Sequence, residues 1–169
     1  MSELLFNELP RPTFRWLRVN HTVSSLAGED TAVQSIAVEA NKDILSPLPV
    51  GTALLDGNYE GANKEAVHVL VEKAEGYAIN VPPKAKEVVG IRIDANARVA
   101  NRFQFIVGEG AELEVQFYVT GSGDALTNVS YLNEYDVKEA GKVVVKKVNL
   151  LPEHVQHIEH RYTKLDEKA

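Results

Sequence analysis

Short apolar runs separated by turn-forming residues dominate the second half of the chain. YAINV (77–81), VVGIRI (88–93), RFQFIV (102–107) and LEVQFYV (113–119) follow one another, and VHVLV (67–71) precedes them. LTNVSYLNEYDV, VVVKKVNL and VQHIEHRYTKL extend the series toward the C-terminus. Runs this short, rich in β-branched and aromatic residues and bounded by Gly, Pro, Asn and Asp, predict the strands of a mainly β domain. No segment sustains the 3.6-residue period that alternating βαβ units would need.

The first part of the chain reads differently. Leu4, Leu5 and Leu9, interleaved with Glu3 and Glu8, predict one or two helical turns over residues 2–9, stopped by Pro10. In LPRPTFRWLRVN (9–20), Phe14, Trp16 and Leu17 stand beside Arg11, Arg15 and Arg18, an aromatic anchor for a leading arm. Alternation returns in AVQSIAVEA (32–40). A loop-rich stretch with Pro47, Pro49, Gly51, Gly57 and Gly61 follows, with a turn at Asp56, Gly57 and Asn58 and a short helix around residues 63–66. The chain is therefore expected to be one domain, with an arm and loop-rich segment over 1–66 and stacked coils over 67–169.

A weak repeat selects among β architectures. VPPKAKEVV from Val81, VGEGAELEV from Val107 and VKEAGKVVV from Val137 each carry a valine, three turn-like residues, a small residue, a charged residue and a second valine. The small residues are Ala85, Ala111 and Gly141, the charged ones Lys86, Glu112 and Lys142, and the closing valines Val89, Val115 and Val145. The units lie 26 and then 30 residues apart, a spacing typical of stacked repeats. A β-solenoid accounts for it: similar turns occupy similar corners and inward valines stack into a continuous core. A sandwich also spaces strands regularly, so the repeat favours the solenoid over it.

These segments, in this order, resemble the SUF-type iron-sulfur cluster assembly scaffolds of the SufB/SufD family. LPRPTFRWLRVN is similar to that family's proline-tryptophan-arginine entry segment, and YAINVPPKAKEV to its aliphatic-valine-proline-lysine corner. RFQFIVGEGAELEVQFYVTGSG and the stretch from LTNVSYLNEY to HIEHRY resemble its successive coils. The likeness covers residues 10–20 and roughly 77–162, and its collinear order carries it. The resemblance implies a right-handed parallel β-helix, a dimer with a SufB/SufD-type partner, and a complex with an ABC-type SUF ATPase. Family members are considerably longer, and their helical ATPase-engaging part and proposed cluster-forming Cys and His lie outside the matched region, so no functional residue is transferred. Solenoid ends expose backbone and apolar rungs, so capping by the N-terminal arm or by a second copy, a homodimer, is expected.

Composition narrows the chemistry. The chain has no cysteine, which excludes disulfides, thiolate zinc, cysteine nucleophiles and cysteine-ligated clusters within it. No cofactor is expected in this chain, and an iron-sulfur cluster enters only through the resemblance. Eighteen Lys and Arg against 24 Asp and Glu give a net charge of −6, a poor match for nucleic acid. Apolar runs are far too short for a membrane span, and MSELLFNELP lacks the basic start and apolar core of a secretory signal, so a cytoplasmic protein is expected.

HVQHIEH concentrates the imidazoles His154, His157 and His160 around Glu159. On a strand His154 and His160 share one face and His157 and Glu159 the other, a poor spacing for three ligands on one metal. A wet strand face, changing charge between about pH 5 and 8, is the preferred reading. A small His-carboxylate metal protein of cupin type is the alternative. Glu112 and Glu114 alternate with Leu113 and Val115, which places both acids outward. The glycines of VGEGAE and TGSGDAL lack the G-x-x-x-x-G-K-[ST] phosphate loop and read as corner turns. No catalytic residue is assigned, and the expectation is a non-enzymatic assembly subunit.

Overall fold

The computed structural model describes residues 3–6, 22–25, 36–55, 59, 64–96, 99–121 and 127–169. The arm at 9–20 and the turn at 56–58 lie outside them, as does most of TGSGDAL. The described chain is mainly β, with two mixed sheets that share a core.

Strands β3 (Ile36–Glu39) and β4 (Leu45–Leu48) lead, after the antiparallel pair β1 (Glu3–Phe6) and β2 (Thr22–Ser25). From there the chain alternates between the sheets. β5 (Gly76–Val81), β7 (Val99–Val107), β9 (Thr127–Val137) and β11 (Val155–Leu165) run parallel in one sheet, with β4 antiparallel on β5. β6 (Lys86–Asp94), β8 (Glu112–Thr120) and β10 (Lys142–Leu150) run parallel in the other, with β3 antiparallel on β6. Their inner faces meet in a core that includes Ile79, Ile91, Phe103, Phe105, Val115 and Val129. Phe117 on one sheet lies edge-on to Phe103 at 5.7 Å and stacks on Tyr131 at 5.8 Å, both on the other. Such pairs add about 0.5–1.5 kcal/mol each beyond area burial.

The sequence repeat is the register of the ladders. Val89, Val115 and Val145 are in-register neighbours, as are Val81, Val107 and Val137. The corners match atom for atom: the N–H groups of Gly108, Lys138 and Asp166 each bond back to the carbonyl of Val81, Val107 and Val137 in turn, at 2.9 Å. The third residue after each of those valines has positive φ, 64° at Lys84, 63° at Gly110 and 54° at Ala140, and Lys168 repeats it at 62° after Leu165. Gly108 serves closeness instead, since a Cβ there would lie 2.6 Å from Pro83 N.

Two expected elements differ. Residues 67–71 lie not on a strand but in α1 (Lys64–Lys73), which crosses the expected 66/67 boundary. Ala66, Val67, Leu70, Val71 and Ala74 recur at helical spacing, and all are buried. That stripe packs with Tyr59 and Leu132 on the outer face of β7 and β9, forming a third layer. Residues 2–9 were expected to turn helically, but Glu3–Phe6 is a strand whose backbone pairs with Thr22–Ser25; long-range pairing overrides the weak local pattern. Among the described residues no helix is long and apolar enough to cross a membrane.

Candidate functional site

Following the in-register columns across the ladders shows where the core changes chemistry. Ile91 and Phe117 are succeeded by Lys147, and Ile93 and Val119 by Asn149. In the other sheet Tyr77 and Phe103 give way to Asn133 and then Arg161, while Val99 and Val129 give way to His157. The last rung, built by β10 and β11, is thus polar where earlier rungs are apolar, Asn133 on β9 being the exception.

Its groups form one network. The Glu159 carboxylate accepts hydrogen bonds from Lys147 Nζ, from Arg161 at 2.9 Å and from Asn133 Nδ2 at 2.8 Å. Burial acts to raise the Glu159 carboxyl, but the hydrogen bonds and charges of Lys147 and Arg161 outweigh it and hold the group below the ordinary carboxylate range. Lys147 Nζ also stands 4.9 Å from the Tyr131 ring centre, a cation-π contact. Burial pushes the Tyr131 hydroxyl up, and Glu159 adds to it. His157 bridges the sheets, with Nε2 3.1 Å from Tyr131 Oη and Nδ1 3.0 Å from Asn149 Nδ2. Burial lowers its pKa, and Lys147 lowers it further.

The histidine-rich segment is the strand expected of it, and the structure separates its imidazoles. His157 and Glu159 face the core. His160 lies on the opposite face, 7% exposed, and His154 occupies the turn before β11. The expected wet face is not found at His160, which burial pushes down to about 4. Among the described residues no group of three or more His, Cys, Asp or Glu side chains is placed to hold a metal. Glu112 and Glu114 do point outward, where Lys86 and Lys146 pair with them at 2.8 and 2.7 Å.

Beside this polar half, the same rung leaves a groove of about 350 Å³ lined by Tyr135, Val137, Val143, Val145, Arg161 and Leu165. β10 and β11 are the terminal strands of their sheets among the described residues. The rung therefore combines an open backbone edge, an apolar floor and a cluster with two cations around one carboxylate. Such an arrangement suits recognition of another chain.

A second network lies under α1. Arg102, fully buried, donates to the carbonyls of Val71 and Thr52. Glu134, equally buried, accepts from Tyr59 Oη at 2.5 Å, Gln104 Nε2 at 3.0 Å and the Leu54 N–H at 3.1 Å. Burial lowers the Arg102 pKa against the opposing influence of Glu134. These residues tie Thr52, Leu54, Tyr59 and α1 to the sheet. Sequence reading missed both networks. The legible signal was Lys147 and Glu159 standing at inward positions of strands whose predecessors carry aromatic residues there.

No family model, curated protein or solved structure matches the chain.

Proposed function

We propose that the chain is a non-catalytic scaffold subunit of a SUF-type iron-sulfur cluster assembly system, its two-sheet coil a right-handed parallel β-helix like that of the SufB/SufD family. The observation that carries the reading is the rung-by-rung equivalence of three of the segments on which the resemblance rests. The corner after YAINV, the corner in RFQFIVGEGAELEV and the corner in YDVKEAGKVVV occupy the same position on successive rungs, with the same backbone bonds and the same left-handed residue. A repeat of that kind, with its polar and open last rung, supports a protein that works through protein contacts. The chain carries no cysteine, so its part in assembly is to hold and present partners rather than to ligate a cluster through thiolates.

The partners proposed are an ABC-type SUF ATPase and a SufB/SufD-type protein, in the cytoplasm. Co-expression of the untagged chain with both, followed by affinity purification on the ATPase, tests this. Stoichiometric recovery of the chain is expected. Its absence from the ATPase fraction, both alone and as part of any longer gene product that contains it, overturns the reading.

A further inference from the structure

The two strands that close the ladders stand apart in charge. β10 and β11 carry Lys142, Lys146, Lys147, Arg161 and Lys164 against the carboxylate of Glu159, in a chain of net charge −6. Along the exposed sheet face the first column alternates in sign: Lys86 on β6 bonds Glu112 on β8, and Glu112 is in register with Lys142 on β10. The next position in that column calls for an acid. Val144 and Val148 beside it are exposed, at 37% and 47%.

The backbone is equally specific. Lys142 N–H bonds inward to the Ala111 carbonyl, so strand alternation turns the N–H groups of Val143, Val145 and Lys147 toward the edge that is unpaired among the described residues. Val143 and Val145 also floor the groove, which Arg161 lines from the other sheet. A second copy is a poor occupant, because β10 has lysines and no acid, and self-pairing would set like charges against each other.

We infer that the edge of β10 is a docking site for an extended acidic segment of a partner protein, which adds as a further strand. Its carboxylates lie over Lys142 and Lys146, and its alternate apolar side chains rest on Val143 and Val145. Main-chain hydrogen bonds supply affinity and the lysines supply choice of sequence. This deepens the scaffold reading and rests on it for the existence of a protein partner.

The test is titration of the ¹⁵N-labelled chain with a blocked nine-residue peptide carrying Glu at alternate positions and Val or Thr between. The expected result is slowed amide exchange at Val143, Val145 and Lys147. Lys142→Glu with Lys146→Glu should weaken binding by about tenfold, Lys142→Gln with Lys146→Gln by less, with the thermal midpoint little changed. No binding overturns the inference, as do equal binding of the peptide with Lys in place of Glu, protection on other strands only, and a nine-nucleotide single strand that protects the same amides as well as the peptide does. Peptide binding without ATPase recovery sinks the scaffold reading and leaves this site standing. ATPase recovery without peptide binding does the reverse.

Discussion

Ala140 holds φ at 54°, a conformation that Gly110 adopts at the equivalent corner without steric cost. Ala140→Gly is therefore expected to stabilise the protein by about 0.5–1 kcal/mol, the relieved strain exceeding the entropy that glycine adds to the unfolded chain. Gly110→Ala should destabilise it by a similar amount, and urea unfolding of the two variants measures both. His160 acts through titration. Burial pushes its folded pKa down to about 4, below the usual imidazole value of 6.5, so the unfolded chain binds the proton first. Its stabilising contribution is complete above about pH 6.5 and declines as pH falls toward 4, by at most about 3 kcal/mol. His160→Gln should flatten the stability profile across that window. Glu159 has the complementary signature. Held below the ordinary range, it stabilises above the unfolded value of about 4.3, and that contribution is lost as pH falls through its folded pKa. In Glu159→Gln the remaining acid sensitivity below pH 4.3 should shrink, while the neutral-pH stability drops because Lys147 and Arg161 lose their counter-charge.

At the scale of elements, α1 and the residues Thr52, Leu54 and Tyr59 depend on the buried charges beneath them. Removing one member of such a network leaves the other uncompensated, so Arg102→Met is expected to cost about 3–5 kcal/mol. Faster amide exchange in Lys64–Lys73 should accompany the loss, and the double change with Glu134→Leu should cost less than the two single changes together. A sum that is strictly additive would mean that the two charges do not communicate. This layer also marks where sequence reading stopped. The strands over 77–165 were legible because β-branched runs and turn residues set them off. Arg102, Gln104 and Glu134 alternate with inward residues on β7 and β9, a pattern that reads as a solvent face. It is a covered face, and only the helix reveals it. α1 itself was hidden because VHVLV satisfies strand composition while its neighbours Ala66 and Ala74 complete a helical stripe. The last rung was half legible: the strand and its two faces followed from HVQHIEHRYTKL, but Lys147 meeting Glu159 depends on the packing of two sheets.

For the whole molecule, stability is expected to follow nearest-neighbour stacking, since each parallel strand pairs only with the rungs before and after it. Native-state hydrogen exchange should find β7 and β8, paired on both sides, the slowest to open, and β10 and β11 the first. A single global rate for all strands would contradict this. The corners and the connections across from them differ in another respect. Three corners span four residues each, 82–85, 108–111 and 138–141; of the opposite connections 95–98 and 151–154 also span four, and 121–126 spans six. The one longer connection thus lies on the side of the sheets opposite the corners. A corner is tied to its neighbours by backbone bonds such as Lys84 N–H to Glu109 O and Gly110 N–H to Glu139 O, so one added residue would break bonds to the corners on both sides. For evolution or for an engineer the molecule is a rack with one fixed post and one adjustable post. An epitope or a fluorescent label inserted between residues 121 and 127 should leave folding intact, and the same insertion between 108 and 111 should abolish it.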